Sequence, residues 1–345
     1  MALKSFLKRR SAEAGVGLIA LTCGLALWGP SQLVRAQQNA SSELEVIRIR
    51  PNFYMIAGAG GNIALQTGKD GTILVNAGSS DAADRVVAAI KNITDQPIRY
   101  IINTSADSDF VGGNARLARA GRNILATGPE PLGGEFERNM TSDYAASIFA
   151  AEPVLFSMSA PTGKKAPFPQ DAWPVETFSE RRRDMYFNGE GLQIYHEPAA
   201  HSDGDSVILF RASDVVVSGD VIDTTRFPVI DSAKGGSIQG EIDALNHVIE
   251  LSVRPMPFVF QAGGTYIIPG HGRVCDRRDV VEYRDMIVTI RDIIGDMVQR
   301  GLTLTQVNNA SPTKAYEREY GARSGQWTTD NFVEAVFKGV TRGGK

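Results

Sequence analysis

Between residues 45 and 78 the chain carries four short apolar runs, VIRIR, FYMIAG, NIALQTG and GTILVNAG, parted by Gly58-Ala59-Gly60-Gly61 and Lys69-Asp70-Gly71. Short apolar runs bounded by such residues predict strands joined by tight turns. Ala82 to Ile93 switches to apolar residues at helical spacing, which predicts a helix. The strand IRYIIN follows, then a loop, a short helix from Asn114 and a strand over NILATG. A helix is expected near Glu135–Phe149, ahead of a segment holding Pro161, Pro167, Pro169 and Pro174. Strands resume at DMYFN, LQIYHE, SVILFR and VVVSGD. An amphipathic helix over Ile238–Leu251, the strand TYIIPG, a long helix over Asp279–Arg300 and a closing helix over Thr329–Val340 complete the pattern. Strands and helices thus alternate in two halves. That predicts an α/β domain of sheets covered by helices, with its site along the strand ends.

The N-terminus departs from this pattern. Lys4, Lys8, Arg9 and Arg10 precede the apolar run GVGLIALTCGLALWG, and Val34-Arg35-Ala36 follows it. A basic region, a short apolar region and small residues before a cut site predict a secretory signal peptide over residues 1–36. The protein is then exported, to a periplasm or the exterior, and touches membrane only through that segment before cleavage. Residues 37–44 are polar and expected to be loose; residues 45–345 form the folded domain. The full chain has a net charge of −3, and residues 1–36 hold five basic residues against one acid, so the mature chain stands at −7. An acidic chain of this kind excludes nucleic acid as the natural partner. Cys23 leaves with the signal, so Cys275 remains without an intrachain partner.

Four junctions carry candidate chemistry: Ser105 to Asn114 in INTSADSDFVGGN, His201 in HSDGDS, Asp220 after VVVSG, and His271 in IPGHG. Loops at strand ends that each bring one His or Asp can converge on one metal, since imidazole nitrogen and carboxylate oxygen together suit zinc, iron or manganese. Taken singly, Asp220 is equally a turn former and His271 a structural histidine. His196 and His247 read as structural. Gly235-Gly236-Ser237 reads as a helix entry that could also receive an anion.

From about residue 45 to 300 the chain resembles the metallo-β-lactamase superfamily, whose members carry T-H-x-H-x-D-H-x-G-G-N at a strand end. Thr104, Asp109, Gly112, Gly113 and Asn114 match in register. His201 falls at the third histidine of the family's first metal site, Asp220 at the bridging carboxylate and His271 at the last ligand. The resemblance implies a four-layer αβ/βα sandwich. It also implies the departures: Ser105, Asp107 and Phe110 stand where the motif has histidines, and Asn76 stands where the early strand has a bracing aspartate.

What remains supports one divalent metal, zinc or else iron or manganese, held by members of the set Asp109, His201, Asp220 and His271. Ser105 and Asp107 are substitute ligands, and Phe110 is an apolar wall. Asp109, Asp220 and His271 are expected to converge within about 5 Å if they share one ion. The implied activity is a hydrolase acting through a metal-activated water on a small-molecule ester, thioester, phosphoester or amide. Asp109 then orients the water, and Asp107 or His201 serves as base. The alternatives are a metal-free pseudo-enzyme that binds a ligand or partner, and a Ser105–His201 nucleophilic pair. Close approach of Asp107, Asp109 and Asp220 without a cation is costly, which argues for an ion.

Overall fold

The computed structural model describes residues 43–124, 144–160, 164–254 and 263–343. Strands β1 (Glu45–Arg50), β2 (Phe53–Ala57), β3 (Ile63–Gly68) and β4 (Gly71–Val75) form an antiparallel meander. Helix α1 (Ala83–Ile93) crosses over to β5 (Ile98–Asn103), which lies parallel to β4. Helices α2 (Ser108–Val111) and α3 (Asn114–Ala120) follow, then β6 (Ser147–Ala151), α4 (Glu152–Met158) and β7 (Glu176–Phe178). These seven strands make one sheet in the order β1 to β7. The second sheet has five strands, in the order β12-β11-β10-β9-β8. They are β8 (Arg182–Phe187), β9 (Glu190–His196), β10 (Ser206–Phe210), β11 (Val215–Asp223) and β12 (Tyr266–His271). Helix α5 (Ile238–Leu251) joins β11 to its parallel neighbour β12, and α6 (Arg277–Gln299), α7 (Leu304–Ala310), α8 (Glu317–Tyr320) and α9 (Thr329–Gly343) close the fold.

The period-two alternation of the strands builds four layers. In β4, Ile73 and Val75 face the second sheet and meet Ile208, Phe210 and Val217. Leu74 faces the other way, against Val86 and Ile90 of α1 and Leu117 of α3. In β11, Val215 and Val217 point into the space between the sheets, while Val216 packs under α5, α6 and α9. The layers therefore run helix, sheet, sheet, helix, as expected. Among the described residues no helix is long and apolar enough to cross a membrane.

Two expected elements change. Ser147–Phe149, read as the end of a helix, belong to strand β6 (Ser147–Ala151), and all five of its residues are buried. A strand covered on both faces loses its alternation and cannot be told from a buried helix by periodicity. Residues 135–143 of the expected helix, most of NILATG and the signal segment lie outside the described residues; Asn123 and Ile124 are not strand. Helix α4, entered through Pro153 in its first turn, was not expected from the proline-rich reading of this region.

Candidate metal centre

Strands β4, β5, β11 and β12 all end at one edge of the sandwich, and the four junctions meet there. Several residues around the motif loop serve the backbone. Asn76, at φ 67°, accepts hydrogen bonds through Oδ1 from the N–H (2.9 Å) and hydroxyl (3.0 Å) of Thr104. Gly219 lets β11 approach that threonine, because a Cβ there would lie 2.4 Å from Thr104 Oγ1. Gly113 sits so close to the Ala77 carbonyl that a Cβ would meet its oxygen at 2.2 Å. Asn114 and Asn103 exchange buried side-chain hydrogen bonds, and Asn114 also donates to the Ala172 carbonyl. These contacts shape the loop independently of its ligand positions.

The positions where the family motif has histidines serve different uses here. Ser105 is buried, and its hydroxyl accepts the Asp107 N–H at 3.3 Å. Phe110 is fully buried rather than lining a wall of the cleft. Gly61 lies flat against its ring, where a Cβ would come within 2.1 Å, and the ring packs beside His271 with centroids 5.5 Å apart. A ring with no polar atom gains most where water is excluded.

Asp107 reaches inward to His201, whose Nε2 lies 2.6 Å from Asp107 Oδ2. The other ring nitrogen, Nδ1, stands 2.8 Å from the Val229 carbonyl oxygen. A carbonyl only accepts, so Nδ1 carries a hydrogen and Nε2 is the atom turned to the carboxylates. Asp220 Oδ2 lies 4.0 Å from the same Nε2. The remaining Asp107 oxygen takes the Lys234 ammonium at 2.9 Å.

Burial works to lower the His201 pKa, but the Asp107 hydrogen bond and the charges of Asp220, Asp205 and Asp107 carry it well above the ordinary imidazole value. Burial likewise pushes Asp107 up, and His201 and Lys234 outweigh it and hold the carboxyl below its usual range. Asp220 stays raised by burial, although the nearby imidazoles of His271 and His201 pull the other way. Asp205, in the same loop as His201, is raised by burial to about 7.

His271 forms a second pair. Its Nε2 meets Asp109 Oδ2 at 2.8 Å, and its buried Nδ1 stands 3.3 Å from Asp220 Oδ1 without a hydrogen bond. Burial opposes the charge on this ring, yet Asp109 and Asp220 raise its pKa to about 10.

The three groups expected to share an ion, Asp109, Asp220 and His271, do not converge. Among the described residues, the set that brings one ligand atom each within 4.8 Å of one another is Asp107, His201 and Asp220. The imidazole of His271 uses opposite nitrogens for Asp109 and Asp220, so the ring stands between them. The expected crowd of bare carboxylates is also absent: Asp107 is paired with His201 and Lys234, and Asp109 with His271.

Does the convergent set fit an ion? Ligand atoms around one zinc stand about 3–3.5 Å apart. The distances from His201 Nε2, 2.6 Å to Asp107 and 4.0 Å to Asp220, bracket that spacing. The donors are one imidazole nitrogen, held in the right tautomer by Val229, and two carboxylates. They fit a single divalent ion, and an ion there takes the place of the proton between Asp107 and His201.

Sequence reading missed Lys234, Asp205 and the Val229 carbonyl. A lysine in a loop, an acid inside a turn motif and a backbone oxygen carry no pattern that separates them from solvent-facing groups. His201 contacts Asp107 and Val229 rather than Ser105. His196 donates to the Asp203 carbonyl, and His247 pairs with Glu197 under the edge of Tyr195. Ser237 caps α5, and the helix entry packs on the His201 loop, since a Cβ on Gly236 would lie 2.1 Å from the His201 carbonyl oxygen.

Comparison with known proteins agrees with this architecture. The family model described as metallo-beta-lactamase superfamily matches residues 57–272. A metallo-beta-lactamase from Pontibacter korlensis is similar at 15% identity and a TM-score of 0.50, over 71% of this chain and 99% of that one. The stereoselective inverting sec-alkylsulfatase Pisa1 from Pseudomonas sp. is similar at 14% identity and a TM-score of 0.60, over 86% of this chain. The match spans only 50% of the sulfatase. The DIM-1 metallo-beta-lactamase is similar at 12% identity and a TM-score of 0.50, over 72% of this chain and 98% of that one. At these identities the likeness concerns the fold. No curated protein matches significantly. With its sandwich, its strand-end site and a family match covering most of the folded unit, the chain belongs to the metallo-beta-lactamase superfamily.

Proposed function

We propose that the protein is an exported hydrolase that uses one divalent metal ion, held by Asp107, His201 and Asp220, to cleave a small-molecule ester, thioester, phosphoester or amide. The observation that carries this reading is the convergence of those three donors within 4.8 Å at the strand ends of a metallo-beta-lactamase fold. When bound, a divalent ion of this kind lowers the pKa of a coordinated water and polarises a carbonyl or phosphoryl oxygen. The chain's own residues supply the rest. The Val229 carbonyl holds the His201 tautomer, Lys234 fixes Asp107 and His271 fixes Asp109. Zinc suits the mixed nitrogen and oxygen set; the two carboxylates also admit iron or manganese.

One observation favours a second reading, a metal-free binding protein on the same scaffold. Each carboxylate of the site has a lysine or histidine at hand, so the cluster is balanced without an ion. Elemental analysis of the mature protein, purified without chelator beside Asp220→Ala, separates the two. About one equivalent of metal, lost in the variant, supports the hydrolase and justifies screening esters, thioesters, phosphodiesters and lactams. No metal in either protein, with no thermal stabilisation by added zinc, iron or manganese, rejects it.

A further inference from the structure

Lys234 closes a short 3-10 turn, Ser232–Lys234, capped by Asp231, which accepts the N–H groups of Ala233 and Lys234. The turn is tied to the loop that carries His201. The Asp231 N–H donates to the His201 carbonyl, and the Asp203 N–H donates to the Lys234 carbonyl. The root of the lysine is therefore fixed relative to His201. Its side chain, 41% exposed, runs along the rim and sets Nζ 2.9 Å from Asp107 Oδ1 and 3.3 Å from Asp231 Oδ2. Asp107 thus spends one oxygen on an ammonium and offers the other to the centre of the site.

We propose that Lys234 is a tethered cation that sets the metal affinity of this site, a specificity-determining residue held against a ligand of the ion. The inference rests on the metal reading above. The physical argument is electrostatic. A positive charge on Oδ1 withdraws negative potential from Oδ2 and repels a divalent ion a few ångströms away, at a place where the protein shields charges less than bulk water does. Asp231 holds the ammonium in position from its other side, so the lysine does not simply swing into solvent. With two carboxylates beside one imidazole, the set takes hard cations broadly. A fixed ammonium weakens all of them and leaves an advantage to ions that bind His201 nitrogen well.

The test is the dissociation constant of zinc and of manganese, measured by competition with a chromophoric chelator on the mature protein. Wild type is compared with Lys234→Met, Lys234→Gln and Lys234→Arg. Lys234 is surface-rooted, and circular dichroism checks that each variant is folded; the two neutral variants guard against one of them failing. The expected result is at least tenfold tighter binding in both neutral variants, wild-type affinity in Lys234→Arg, and a larger gain for manganese than for zinc. High salt should narrow the difference. Unchanged or weaker binding in the neutral variants overturns the inference while leaving the metal reading intact. Absence of binding in every form, wild type included, overturns both.

Discussion

Glu241 offers a sharp test of the electrostatics beneath the site. It lies in the first turn of α5, is fully buried, and neither carboxyl oxygen has a hydrogen-bond partner. Burial raises its pKa well above the carboxylate range, and the charge of Asp205 adds to that, against the opposing pull of His201. The folded protein thus keeps a proton that the unfolded chain releases near its ordinary value of about 4.3. The contribution to stability is least unfavourable below that value. It worsens as pH rises towards the folded pKa, by about 1.4 kcal/mol for each pH unit. Glu241→Gln keeps the shape and removes the titration. Its advantage over wild type should be near zero at pH 4 and grow with pH, by at most about 1.4 kcal/mol per unit, until the folded pKa is reached. For a domain of this size that is about 2–3 °C of melting temperature per pH unit. Paired thermal melts between pH 4 and 7, in chelator, read the difference directly. A difference that does not change with pH, or a wild type that gains on the variant as pH rises, refutes the reasoning.

Four further outcomes follow from packing, burial and capping. Gly61→Ala forces a Cβ into the Phe110 ring and should cost about 1–3 kcal/mol, and Phe110→Ala about 3–5 kcal/mol from the lost core ring; an unchanged urea midpoint in either contradicts the packing described. The Cys275 thiol is buried, and burial pushes its pKa to about 12. It should react with a disulfide reagent only as the protein unfolds, and rapid labelling of the native protein counts against that. Asp276 caps α6 through a reciprocal box with Asp279; Asp276→Ala should cost about 1 kcal/mol of stability in urea melts, and a neutral result removes the cap from the account.

The amino-acid sequence by itself determined the layered plan and the family. Short apolar runs bounded by turn residues marked β2 to β4 and β11, helical spacing marked α1, α5, α6 and α9, and Thr104, Asp109, Gly112, Gly113 and Asn114 marked the motif loop. These features are local, written in periods of two and 3.6 residues or in backbone conformations that few residues accept. Strand β6 was misread because burial on both faces erases the period. At the site, the sequence named Asp107, Asp109, His201, Asp220 and His271 but not their partners. Only the tertiary structure decided that Asp107 stands with His201 and Asp220, that Asp109 goes to His271, and that Lys234 comes from over a hundred residues away to neutralise Asp107. Such pairings depend on side-chain directions at loops drawn together from both sheets, and charge–charge contacts across that distance leave no periodic trace in the chain. The Val229 carbonyl is the extreme case: a backbone oxygen is identical in every residue, and position alone makes it choose the tautomer of His201.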